Sequence, residues 1–307
     1  MQGTKKLKMY ALFFIFTLLI TFVLLEIATT VMFGRKVFMV VEEDGFYYFA
    51  PNQYGWYSYK QPPMRVNNIG TRGEDIDINS RKKILFIGDS FTFGGGLRDD
   101  ETFPYFFGKI LEERGFENYS VVNAGVGGYG LDEMKRMQGK LEEVYRPDLT
   151  IVTIIEDDLC RKMDPIENYG VKNIWYTMKQ YSSFVSFAWE VIRVHFVGPD
   201  KRYPEPESGK IFTESISSKI LSLAGGKEKK EILFIFYEYD RTKYSEVSEK
   251  FCKENNLYCI TNVPSILASE LKEEEYYTND GAHPSAKSNQ VLANAIYEKL
   301  AKNRLLR

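Results

Sequence analysis

Histidine and cysteine are scarce in this chain of 307 residues: it has two of the first and three of the second. Metal centres of the zinc type need several such side chains at close spacing, and Cys160, Cys252, Cys259, His195 and His283 offer no such grouping. Neither a metal nor a cofactor is expected. An excess of one charge sign is missing too. Lys+Arg 40 against Asp+Glu 42 leaves a net charge of -2, which excludes a broad attraction to nucleic acid. There is no internal repeat and no long low-complexity tract. The Gly-x-Ser-x-Gly elbow of one large serine hydrolase fold is absent. Gly94-Gly95-Gly96 lacks the following Gly-Lys-Ser/Thr of a phosphate loop, so flexibility is its expected use. With two histidines, the choice of an imidazole base is nearly forced. His195 has no acid at motif spacing and reads as structural, which leaves His283.

Charge is lacking altogether from Met9 to Leu25, after Lys5, Lys6 and Lys8. With Ile27–Phe33 beyond Glu26, the stretch reaches the roughly 20 residues that cross a bilayer. Basic residues ahead of it favour a cytoplasmic N-terminus and an extracytoplasmic remainder. The run exceeds the roughly 7 to 15 apolar residues of a signal peptide, and no clean small-x-small cleavage site follows, so a retained anchor is expected. Glu26 is expected near the outer interface. Residues 1–34 form this tip and anchor. Residues 35–80, rich in Tyr, Asn and Pro, read as a linker packing on the domain that occupies 81–307.

From Lys83 strands and helices alternate. Apolar runs at Ile84–Ile87, Ser120–Asn123, Leu149–Ile155, Ile232–Tyr237 and Leu257–Ile260 predict strands. Helical patterns lie near Phe103–Arg114, Leu131–Val144, Glu214–Leu223, Tyr244–Glu254 and Ser285–Asn303. Near-continuous apolar strands alternating with helices predict a central, mostly parallel five-stranded sheet covered on both faces, an α/β/α sandwich. Ligands in such sheets lie outside the carboxyl ends of the strands. An aromatic-rich insertion at about 160–212 breaks the alternation. Within it Ser182–Val197 can form an amphipathic helix, with core packing, a lid, and a membrane or partner surface as its readings. Cys252 and Cys259 are open to two readings, a disulfide or two buried thiols, and Cys160 reads as a small core residue.

Three blocks carry chemistry. Gly88-Asp89-Ser90-Phe91-Thr92-Phe93-Gly94 places a serine hydroxyl at the exit of a buried strand. Asn123-Ala124-Gly125-Val126-Gly127-Gly128-Tyr129-Gly130 is a glycine-rich turn. Asp280-Gly281-Ala282-His283 puts a carboxylate and an imidazole on one turn. A serine hydroxyl needs a base to take its proton, and the base works best when a carboxylate fixes its tautomer. Asp89 reads as shaping the turn, and Thr92 and Asn123 as satisfying local backbone groups.

In this order the blocks resemble the SGNH/GDSL hydrolases over roughly residues 65–307. Asn67-Asn68-Ile69-Gly70-Thr71-Arg72-Gly73 is similar to the opening segment of membrane-anchored members. The resemblance implies an SGNH/flavodoxin-like fold, Ser90 as nucleophile, His283 as base and Asp280 as its orienting acid. It implies an oxyanion site built from Ser90, Gly128 and the position of Asp157. At that position the family has asparagine, whose amide donates, whereas an ionised carboxylate only accepts. The activity implied is a serine esterase removing acyl groups, acetyl foremost, from an extracytoplasmic glycan or lipid. The alternatives are an O-acyltransferase fed by a membrane acyltransferase partner, and a scaffold with a decayed centre.

Overall fold

The computed structural model describes residues 2–42, 44–58, 61–79, 82–161, 178, 181–192, 212–225, 232–237 and 243–306. It opens with helix α1 (Gln2–Phe33), of which Lys6–Phe33 is long and apolar enough to cross a membrane. Two short antiparallel hairpins follow, β1 (Met39–Val41) with β2 (Tyr47–Phe49) and β3 (Gln53–Gly55) with β4 (Met64–Val66). Strand β5 (Lys82–Ile87) leads into the one-turn helix α2 (Ser90–Phe93) and then α3 (Phe103–Glu113). Next come β6 (Tyr119–Asn123), α4 (Leu131–Val144) and β7 (Leu149–Ile155). Helices α5 (Ser183–Ile192) and α6 (Glu214–Leu223) precede β8 (Ile232–Tyr237). The chain continues through α7 (Lys243–Glu254), β9 (Tyr258–Ile260), α8 (Val263–Glu270) and α9 (Ala286–Lys302).

The central sheet has the order β6-β5-β7-β8-β9, with every neighbouring pair parallel. Side chains alternate between two cores, as the period of two in a strand requires. Leu85 and Ile87 of β5 join Val152, Phe234 and Phe236 beneath α4, α6 and α7. Ile84 and Phe86 join Ile151, Leu233 and Ile235 beneath α3, α8 and α9. This is the three-layer sandwich expected from the apolar strands. The order reverses at β5, where β6 lies on one side and β7 on the other, and such a reversal is where ligands of open α/β sheets bind, outside the carboxyl ends.

Local chemistry sets the helix starts. Thr102 caps α3 by accepting from the Tyr105 N–H, with Pro104 in its first turn. Ser285 caps α9 by accepting from the Ser288 N–H at 3.2 Å. Cys252 and Cys259 are joined by a disulfide between the end of α7 and β9. Cys160 is half-buried and lies outside that disulfide. The expected helix at Ser182–Val197 is present as α5, while its last residues, His195 among them, lie outside the described residues, as does most of the aromatic insertion.

Candidate active site

β5 ends at Ile87, and Gly88-Asp89 turns the chain into α2. Asp89, fully buried, caps that helix by accepting from the Phe91 N–H at 2.9 Å. Ser90 is thereby placed at the first helical position, on the positive end of a short turn. Its hydroxyl donates to Asp89 Oδ2 at 3.2 Å, and no hydrogen bond joins it to His283.

The Gly94-Gly95-Gly96 run is not the flexible stretch expected from its composition. Gly94 and Gly95 donate their N–H groups to Ser90 O at 2.9 and 3.0 Å. The reason for glycine at 95 is steric: a Cβ there would stand 2.8 Å from His283 Cδ2 and 2.9 Å from its Nε2. The imidazole therefore lies directly on the backbone of the turn that carries Ser90, tilted against the Phe91 ring with centroids 5.9 Å apart.

His283 is held by Asp280. Its Nδ1 meets Asp280 Oδ2 at 2.6 Å, and the His283 and Ala282 N–H groups and the Thr278 hydroxyl all donate to Asp280 Oδ1. Partial burial acts to raise the Asp280 pKa. The two N–H bonds, the imidazole and the Thr278 hydroxyl outweigh it, holding the carboxyl well below the usual carboxylate range. An ionised Asp280 fixes the proton of a neutral imidazole on Nδ1 and leaves Nε2 as the free base.

The glycine block runs beside Ser90. A Cβ on Gly127 would lie 3.8 Å from Ser90 Cβ and 3.8 Å from the Tyr57 hydroxyl. The Tyr47 hydroxyl donates to Gly127 O at 2.9 Å. In a trans peptide the carbonyl and the next N–H point opposite ways, so Tyr47 also sets the direction of the Gly128 N–H. Neither Ser90 N–H nor Gly128 N–H has an acceptor among the described residues. Gly128 itself has φ +87°, a left-handed conformation that favours glycine. Asn123 Oδ1 accepts from the Gly125 N–H as expected. Thr92 does not follow that expectation: its buried hydroxyl has no hydrogen-bond partner among the described residues.

Asp157 stands past the end of β7 in the tight turn Glu156–Leu159, with its side chain about half exposed. Among the described residues it pairs with Arg161, Nη2 to Oδ2 3.9 Å. The same guanidinium reaches Asp89 Oδ2 at 3.0 Å, Asp158 Oδ1 at 2.5 Å and Tyr129 O at 3.1 Å. One cation thus faces three carboxylates behind Ser90. Burial and the Asp89 charge push the Asp158 carboxyl well up, against Arg161 and the Ile155 N–H.

Sequence reasoning missed the residues that brace this site. Arg72, buried, donates to Phe93 O, Gly94 O and Leu97 O at 2.7, 2.8 and 2.5 Å, pairs with Asp99 at 2.7 Å, and lies over the Phe93 ring. Tyr47, Tyr57 and Arg161 belong with it. The only signal for Arg72 was its place in the Asn67–Gly73 block. Among the described residues no group of three or more His, Cys, Asp or Glu side chains is placed to hold a metal ion.

The family model described as the GDSL-like Lipase/Acylhydrolase family matches residues 86–291. No curated protein matches the chain. Among solved structures it is similar to a catalytic mutant of an acetylxylan esterase from Geobacillus stearothermophilus, at 17% identity and TM-score 0.45, covering 73% of this chain and 96% of that one. It is similar to a psychrotrophic esterase from Pseudoalteromonas sp., at 12% identity and TM-score 0.44, covering 72% and 97%. It is also similar to a lipase/acylhydrolase from Enterococcus faecalis, at 14% identity and TM-score 0.44, covering 72% and 96%.

Proposed function

Because the chain belongs to the GDSL-like lipase/acylhydrolase family, serine hydrolases that act on ester bonds, we propose that it removes acyl groups, acetyl foremost, from an extracytoplasmic glycan or lipid through an acyl-Ser90 intermediate. The observation that carries this reading is the Asp280–His283 pair lying on Gly95, whose own N–H is bonded to Ser90 O.

The Ser90 hydroxyl turns from Asp89 toward His283 Nε2, which takes its proton as Oγ bonds to the ester carbonyl carbon. Asp280 keeps the resulting imidazolium oriented. The Ser90 and Gly128 N–H groups hold the oxyanion, each contributing on the order of 3 kcal/mol to lowering the barrier. The C–O bond to the alcohol breaks and His283 returns the proton to the leaving oxygen. Water, deprotonated by His283, then releases the acid and restores Ser90. Arg161 offsets the carboxylate of Asp157, which would otherwise oppose the oxyanion.

The location rests on Lys5, Lys6 and Lys8 in the first turns of α1, ahead of its uncharged run, and on the Cys252–Cys259 bond, which suits an oxidising compartment. The test is p-nitrophenyl acetate hydrolysis by the full chain in detergent against Ser90→Ala. Turnover that vanishes in the variant is the expected result. Equal rates in the two proteins would defeat the proposal. Sugar acceptors added to the same assay show whether water or an alcohol takes the acyl group, and so whether a membrane acyltransferase partner need be sought.

A further inference from the structure

Helix α1 does not end outside the fold. Its Glu26 carboxylate accepts from the Ser182 hydroxyl at 2.7 Å, the Ser183 N–H at 2.8 Å and the Phe184 N–H at 3.0 Å. These are the first donors of α5, and Ser182 Oγ takes the next, the Val185 N–H at 3.1 Å. A helix start leaves such donors without partners inside the helix, and its positive end favours a carboxylate. Glu26 therefore caps α5 from another helix. Two ring contacts extend the joint, Phe22 with Phe184 at 5.9 Å and Phe33 with Phe187 at 4.9 Å. Beyond α1 the chain passes straight into the domain: Gly34 O accepts from the Trp56 indole at 3.0 Å and the Val37 N–H donates to Trp56 O at 3.0 Å. The apolar helix is thus bonded directly to the segment that carries Trp56.

The height of this joint follows from helix geometry. Glu26 lies about 27 Å along the axis from Lys8, near the far edge of a hydrocarbon layer about 30 Å thick. The capped end of α5 is at the same level. Tyr181 is 77% exposed there, with Met178 exposed beside it, and Ile192 is exposed at the other end of α5. The single charge on α5 is turned inward, Glu190 accepting from the Ser58 hydroxyl at 3.2 Å. Ser58 follows Tyr57, whose hydroxyl lies against Gly127 at the nucleophile. Glu190 stands about 10 Å along α5 from the capped end.

We propose that α5 is an interfacial element that meets the lipid surface beside α1, locked to it by Glu26, and that it seats the catalytic centre directly on the bilayer. The occupant of the exposed capped end is lipid because that end is joined at Glu26 and Phe22 to α1, whose apolar surface is exposed from Leu7 to Met32. Tyrosine at its edge suits a headgroup boundary. This rests on the reading of α1 as a retained anchor. Retention is itself favoured by the joint, since cleavage after α1 would strip α5 of its cap. Esters carried by the bilayer then come within reach of Ser90.

The experiment uses the full chain with Cys160→Ala, reconstituted into phosphatidylethanolamine/phosphatidylglycerol vesicles with or without doxyl-labelled lipid. An environment-sensitive fluorophore is placed at Tyr181→Cys, with Met178→Cys as a second position and Glu254→Cys as a control at the opposite end of the sheet. The expected result is about two-fold quenching at 181 and 178 and none at 254, with quenching weakened by Glu26→Leu. Ser90→Ala leaves the quenching unchanged, so this readout is independent of hydrolysis. Vesicle-bound protein whose labels at 181 and 178 match the control overturns the proposal alone. Protein that does not float with vesicles overturns it together with the anchor.

Discussion

Arg72→Met is the most informative substitution outside the proposed catalytic residues. The guanidinium side chain is 2% exposed and donates four hydrogen bonds, three to carbonyls of the turn after α2 and one to Asp99. Burial lowers its pKa and the Asp99 charge opposes that, so it stays cationic at neutral pH. Methionine keeps the stacking on Phe93 and removes every donor. Hydrogen bonds from charged groups contribute about 1.5–3 kcal/mol each, but four sharing one group do not add. Breaking a buried ion pair typically costs about 3–5 kcal/mol, and about 4 kcal/mol is expected here. For a domain of this size that lowers Tm by about 10 °C, read by circular dichroism on the full chain in detergent. The turn also carries Gly95 beneath His283, so kcat on p-nitrophenyl acetate at 20 °C should fall by about 100-fold, as misplacement by an ångström does. Asp99→Asn, which keeps the three carbonyl bonds but leaves the buried guanidinium without its anion, should cost about 3 kcal/mol and leave kcat near the wild-type value. An Arg72→Met protein within about 3 °C of wild type, with kcat within two-fold, would refute the claim that Arg72 holds the turn.

Tyr47→Phe frees the Gly127 carbonyl while keeping the ring, and a lost hydrogen bond of about 1.4 kcal/mol translates to a roughly ten-fold lower kcat; an unchanged kcat would mean that Gly128 is oriented without it. Asp157→Asn replaces an acceptor by a donor at the oxyanion position and should raise kcat by about ten-fold or more; stopped acyl-ester assays decide, and a fall would mean that the carboxylate has its own use. Reducing the Cys252–Cys259 bond, which closes a loop with sequence separation 7, should destabilise the domain by about 2–3 kcal/mol, seen as a lower urea midpoint with reductant and no change in Cys252→Ala/Cys259→Ala.

The sheet could be read because its central strands β7 and β8 are buried along their whole length and are therefore rich in apolar residues, as in Leu149–Ile155, where expected and observed limits coincide. Ser90, Gly128 and Asp157 followed, since each stands just past a strand end. The braces could not be read. β1 to β4 are three residues each, too short for a period to show. Tyr47 acts on a carbonyl 80 positions later, and Arg161 on a carboxylate 72 positions earlier. A buried arginine looks like a surface one until its partners are folded around it. α8 (Val263–Glu270) was also unforeseen, being eight residues that start at Asn262-Val263-Pro264 and show little separation of faces.

The split of the site between Ser90 and the Asp280–His283 turn governs when a newly made chain can act. That turn is held through α9, which packs on α3 and is tied to the turn just ahead of α3 by Asn289, donating to Glu101 O at 3.0 Å. While the chain is still being synthesised, Ser90 can sit at the end of β5 with no imidazole beside it. If Ser90 and His283 act together as proposed, catalytic competence arrives with α9. A polypeptide halted at Leu271 is expected to bind the membrane and hydrolyse nothing, and any turnover from such a fragment would contradict this order of assembly. If the domain is exported as proposed, the nucleophile stays unarmed until the whole of it has left the compartment where it was made.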